Sequence, residues 1–175
     1  MRHEILIVDG YNMIGNWPEL NKLKKEDHLK DARDRLLDVL SEYKKYEPAM
    51  RIILVFDAMY VPGIKENFDR FNIEVVYTQE EQTADSYIEA LAEELNMPLN
   101  QVTVATSDQA EQWTVFSRGA LRVSAYELHR QLKRTHQEIK SDAKNYDRLN
   151  RRNSPWSRQQ LMLLEKIRDN IDHKK

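Results

Sequence analysis

At 175 residues the chain is long enough for one compact domain plus an appendage, and with 41% hydrophobic and 32% charged residues it can bury a core beneath an unusually polar surface. The absence of cysteine excludes disulfides, thiolate catalysis and sulfur-ligated zinc. The net charge of -2 hides a segregation: residues 130–175 hold 13 Lys/Arg against 6 Asp/Glu, and the remainder holds 14 against 23.

The first apolar run, Ile5 to Val8, is closed by Asp9 and is far too short for a signal-peptide core or a membrane span, so a cytoplasmic protein with no membrane partner is expected. A strand over Glu4 to Val8 is followed by a helix over Leu29 to Tyr46, whose Leu29, Ala32, Leu36, Leu40 and Tyr43 recur at spacings of three and four. Strands follow at Arg51 to Phe56 and Ile73 to Tyr77, then a helix from Ala84 to Asn96 and a strand from Val102 to Ala105. A helix over Gln109 to Ser117 and a short strand at Leu121 to Val123 complete the alternation. Ser124 with Glu127 then forms a capping box that opens a helix running beyond Gln131. Lys140 to Asn153 lacks a firm apolar stripe and reads as a frayed helix or a hinge, and Ser154-Pro155 starts a last helix. Strands that are apolar throughout, such as Ile52 to Phe56, belong in a parallel sheet covered on both faces.

In such a sheet, ligands bind beyond the carboxyl ends of the strands. Those ends are acidic here. Asp9 follows the first strand, Asp57 the second and Asp108 the Val102 to Ala105 strand, while right-handed crossovers bring Asp85, in the first turn of its helix, to the same edge. Singly, an aspartate caps a helix or starts a turn. Four at one edge repel one another and call for a compensating cation, and an all-oxygen donor set fits Mg²⁺ or Mn²⁺ better than zinc. Phosphodiester hydrolysis is the chemistry expected of it, with Asp9, Asp85 and Asp108 as metal ligands, direct or through water, and Asp57 capping or orienting. Asn12 hydrogen-bonds a carboxylate, a metal-bound water or a phosphate, or else makes an Asx-turn. Gly10 allows a tight turn, and Thr106 and Ser107 orient Asp9 or Asp108 or serve as ordinary turn residues.

Asp9-Gly10-Tyr11-Asn12-Met13-Ile14, Val55-Phe56-Asp57-Ala58, Thr83-Ala84-Asp85, Ala105-Thr106-Ser107-Asp108, Glu111-Gln112-Trp113 and Gly119-Ala120-Leu121-Arg122 together resemble the YacP-like NYN family of PIN-fold ribonucleases. The resemblance covers roughly residues 4 to 130. It implies a PIN-like three-layer α/β/α sandwich with a central, mostly parallel sheet, in a nuclease domain placed at 1–135; the segment after it matches no motif of the family, and the basic helical extension over 136–175 is read from its charge alone. The resemblance also implies Mg²⁺ or Mn²⁺ bound by acidic residues and endonucleolytic cleavage of RNA, with Asp9, Asn12, Asp85 and Asp108 at the matching motif positions and Asp57 nearby. Within the family the resemblance is nearest to the bacterial ribosome-associated endoribonuclease that acts on messenger RNA in the ribosomal A site, which implies a ribosome partner.

In the basic tail, Arg130, Lys133, Arg134, Lys140, Lys144, Arg148, Arg151, Arg152 and Arg158 are expected to contact RNA phosphates, although a merely solvated helix carries the same charge. Trp17, Tyr60 and Trp113 are candidate base-stacking platforms, Trp17 the better of them, while an aromatic at helical spacing such as Trp113 more often belongs to the core. Glu80 or Glu81 could supply one more ligand, Glu89, Glu93 and Glu94 read as a solvated face, and the histidines have no assigned role. Tyr11 stands where a haloacid-dehalogenase phosphatase needs a second aspartate, and the missing Gly-x-Gly-x-x-Gly argues against a nucleotide cofactor. The stronger rival is a non-catalytic RNA- or ribosome-binding module on the same fold.

Overall fold

A computed structural model of the protein describes residues 2–58, 72–79, 81–117, 119–152 and 162. Along them run β1 (His3–Asp9), α1 (Gly10–Asn16), α2 (Pro18–Lys25), α3 (Leu29–Tyr46), β2 (Arg51–Phe56), β3 (Glu74–Tyr77), α4 (Ala84–Leu95), β4 (Asn100–Ala105), α5 (Gln109–Ser117), β5 (Leu121–Val123) and α6 (Ala125–Arg152). The chain divides into two compact units, Met1–His136 and Gln137–Lys175, and the sheet lies in the first. Among the described residues no helix is long and apolar enough to cross a membrane. Tyr60, Glu80, Arg158 and the helix expected from Ser154-Pro155 lie outside the described residues, save that Met162 is helical.

The five strands are all parallel in the order β3-β2-β1-β4-β5. Alternation within each strand sends side chains to opposite faces. Leu6 and Val8 of β1 join Ile52, Leu54 and Phe56 of β2 in a core with Met13, Trp17, Leu20, Leu36, Leu40, Leu128 and Leu132 from α1, α2, α3 and α6. Ile5, Ile7, Ile53, Val55, Val102 and Val104 point the other way, onto Ala84, Ile88 and Ala92 of α4 and Val115 of α5. Helices thus cover both sheet faces in an α/β/α sandwich, and both faces of the central strands are dry, which is why those strands are apolar throughout.

Three local features differ from what the sequence predicts. The link after Asp9 is not a tight turn at Gly10 but the two short helices α1 and α2, seven and eight residues long, too brief for a hydrophobic period to announce them. Gly10 is needed for close packing instead: a Cβ there would lie 2.3 Å from Cε1 of Phe56. Finally, α6 runs to Arg152 through the stretch read as frayed or hinged. Residues 137–152 contain neither glycine nor proline to stop it.

Candidate active site

The strand order changes direction at β1. From there the chain builds β2 and β3 on one side, then crosses to place β4 and β5 on the other. Such a switch point leaves a crevice beyond the carboxyl ends of the two diverging strands, because their following segments leave on opposite faces. Here those strands are β1 and β4, paired through Val8 and Ala105. Asp9 ends the first, and Thr106, Ser107 and Asp108 follow the second.

Asp9 is only 7% exposed. Its Oδ1 accepts a hydrogen bond from the backbone N–H of Asn12 at 3.1 Å, which makes it the N-cap of α1. Burial pushes its carboxyl up from 3.8 to about 6, the Asn12 N–H opposes that, and the negative charges of Asp85, Asp108 and Asp57 add to it. All four strand-end aspartates are therefore electrostatic neighbours. Asp85 is not the cap of α4, since Thr83 takes that task by accepting from the N–H of Ser86. It stands exposed on the first turn, its carboxyl also raised, by partial burial and by Asp108, Glu89 and Asp57.

Glu89 is the residue that sequence reading missed. Assigned to a solvated face with Glu93 and Glu94, it is instead half-buried and within electrostatic reach of Asp85. The available signal was its spacing, four residues after Asp85 on one helix, which places both carboxylates on the same side.

The loop carrying Asp108 is fixed from three directions. Thr106 Oγ1 accepts from the backbone N–H of Asp108 at 3.1 Å, and the backbone N–H of Ser107 donates to Oδ1 of Asn12 at 2.8 Å. Ser107 Oγ accepts from the N–H of Ala125 at 2.9 Å, at the start of α6. Asn12 therefore ties β1's end to the loop after β4, and with its carbonyl oxygen so engaged, its amide nitrogen is what it has to offer a substrate. Thr106 and Ser107 hold the backbone of the loop rather than a carboxylate. Asp57 is placed by a similar stitch, in which Thr78 donates its N–H to Phe56 O at 3.0 Å and accepts from the N–H of Ala58 at 3.1 Å.

Among the described residues no three acidic or histidine side chains form a preassembled metal cage. The donor set nonetheless fits a hard divalent ion, because it is all oxygen, concentrates negative charge around a buried carboxylate, and Mg²⁺ commonly keeps several waters between itself and its carboxylates.

Two aromatic assignments are reversed. Trp17, expected to present its ring to bases, is 2% exposed; its Nε1 donates to Ala125 O at 2.8 Å and its ring stacks on His129 at 5.0 Å. Trp113, for which the core is the commoner reading and a stacking platform the alternative, is 75% exposed. His129 also gains a role, reaching Glu19 at 3.1 Å and so joining α6 to α2. Of the basic residues, Arg130, Lys133, Arg134, Lys140 and Lys144 are exposed, with Lys133 3.6 Å from Glu19; the side chains of Arg148, Arg151 and Arg152 lie outside the described ones. Glu81 is exposed.

Comparison with known proteins places this geometry among relatives. The model of the YacP-like NYN domain matches residues 6–169. The protein YacP of Bacillus subtilis is 46% identical over 136 residues, covering 78% of this chain and 79% of its own. A crystal structure of Rae1 (YacP) from Bacillus subtilis superposes with a TM-score of 0.71 at 39% identity, covering 96% of this chain and 92% of that one. The structure of a point mutant of the same protein superposes at 0.72 with 43% identity, over 82% and 84%.

Proposed function

The chain belongs to the YacP-like NYN domain family, and from that premise we propose that it is a divalent-metal-dependent endoribonuclease that hydrolyses phosphodiester bonds in RNA. The observation that carries the reading is the buried Asp9 carboxyl at the sheet's switch point, with Asp85, Asp108 and Asp57 as negative neighbours. Carboxylates gathered around a buried one repel each other, and a bound cation relieves that repulsion. Asp9, Asp85 and Asp108 hold the Mg²⁺ or Mn²⁺, directly or through water, and Glu89 adds charge beside Asp85. Once bound, the ion supplies charge neutralisation at the phosphate and activation of water. Asn12 directs its amide nitrogen at a phosphate oxygen while its carbonyl keeps the Asp108 loop in place, and Asp57 orients its neighbours.

The substrate within this reading is messenger RNA presented in the ribosomal A site. Its supports are the resemblance in the motifs and the run of exposed basic residues Arg130, Lys133, Arg134, Lys140 and Lys144, which suits a polyanion. The test incubates the protein with RNA and Mg²⁺ or Mn²⁺, with and without translating ribosomes, beside Asp9→Asn and Asp108→Asn. Cutting by the wild type alone is expected; equal cutting by the variants removes the assigned centre. RNA or ribosome binding with no cutting in any arm identifies a binding module instead.

A further inference from the structure

Trp113 is exposed on a helix whose neighbouring positions Gln112 and Val115 are buried. A large aromatic left in water forgoes the burial that normally justifies it. Beside it opens a cleft of about 370 Å³ lined by Gln109, Gln112, Trp113 and Arg122. The Trp113 ring, the Arg122 guanidinium and the Gln109 amide are groups of the kind that a single nucleotide engages, through its base face, its phosphate and its base edge.

The cleft is built, and it is built onto the acidic centre. Gln112 is 8% exposed; its Oε1 accepts from Nη1 of Arg122 and its Nε2 donates to the carbonyl of Thr106. Its backbone N–H donates to the carbonyl of Asp108 at 3.0 Å. One buried glutamine thus holds the Arg122 guanidinium and the Asp108 loop in a fixed relation.

We infer that this cleft is a nucleotide subsite for single-stranded RNA, in which the Trp113 indole stacks on the base flanking the nucleotide at the acidic centre and Arg122 takes that nucleotide's phosphate. The inference rests on the nuclease reading for its choice of RNA. Every base has a π-face, so the subsite is tolerant of sequence and reads single-strandedness instead.

Binding of a short single-stranded RNA to the full chain in EDTA separates this proposal from the catalytic one. Trp113→Ala should weaken affinity by roughly tenfold to a hundredfold, Trp113→Phe should keep most of it, and Arg122→Gln should weaken binding and flatten its salt dependence. On an oligomer whose riboses lack bases, wild type and Trp113→Ala should bind alike. In the cleavage assay the Trp113→Ala loss should fall on KM rather than kcat. Unchanged RNA affinity in Trp113→Ala, or an equal loss on the abasic oligomer, overturns the subsite even where the wild type cuts RNA. Trp113-dependent binding by a wild type that never cuts RNA supports the subsite and removes the nuclease reading.

Discussion

The Asp9 carboxyl is held by opposing influences: burial and three nearby carboxylates favour its protonated form, and the Asn12 N–H favours the ionised one, leaving it at about 6. Because the folded value exceeds the unfolded 3.8, the folded state binds this proton more tightly. Its contribution to stability is full below 3.8 and is lost as pH rises through 6, a change of roughly 3 kcal/mol. Asp9→Asn keeps an oxygen to cap α1 and has no charge to lose. Without divalent ions it should therefore melt higher than wild type at pH 8 and not at pH 4, and the gap should narrow on adding Mg²⁺, which binds only the wild-type carboxylate well. A melting series with and without EDTA checks this, and a gap independent of pH contradicts it. Asn12→Ala should cost about 1–3 kcal/mol, because the partly buried Ser107 N–H loses its acceptor. Denaturant titration gives that number, and a matching loss of cleavage would mark Asn12 as a residue that also positions Asp108.

Between residues and the whole fold, the centre depends on how short elements are clasped. Serine and glutamate at the start of α6 form a reciprocal capping box: Glu127 Oε2 accepts from the N–H and hydroxyl of Ser124, at 2.8 and 2.7 Å, and Ser124 Oγ accepts from the Glu127 N–H at 3.2 Å. That helix start also receives Ser107 and Trp17. Ser124→Ala should cost about 1 kcal/mol in stability. Gly10→Ala sets two effects against each other: alanine favours helix by about 1 kcal/mol, whereas its Cβ would collide with a Phe56 ring buried between Tyr11 and Tyr77. Overpacking of about 1–3 kcal/mol should prevail, so the midpoint of chemical unfolding should fall; a rise would mean that Phe56 yields easily. These clasps explain why the long helices α3 and α4 were legible in sequence and α1 and α2 were not. A helix of several turns repeats its apolar spacing, but a helix of two turns is fixed by its caps and by what it packs against.

On the scale of the molecule, charge is the organising property. Under the proposed function the acidic centre by itself repels RNA, and the basic residues from Arg130 onward are proposed to make phosphate contacts whose strength falls as salt rises. Replacing Arg130, Arg134, Lys140 and Lys144 by glutamine should weaken RNA binding uniformly across sequences, and the slope of log affinity against log salt should drop by about 0.7 for each lost contact to a single strand. An unchanged slope would assign those residues to solvent or to a protein partner. We further propose the division into a nuclease domain over 1–135 and a basic extension after it. A chain ended after His136 retains Leu128 and Leu132 of the core and should unfold in one cooperative transition, as scanning calorimetry would show.

Sequence by itself determined the parallel sandwich and the acidic character of the edge beyond its strands' carboxyl ends. Both are written locally, as strands apolar throughout and as an aspartate at or just after the end of β1, β2 and β4, with Asp85 opening α4. Tertiary structure alone decided which tryptophan is buried and that Glu89 joins the cluster. Trp17 owes its place to Ala125, 108 residues away, and Trp113 owes its exposure to a helix that buries Gln112 rather than its larger neighbour. Burial depends on what arrives from distant parts of the chain, and periodicity in a short helix says nothing of that.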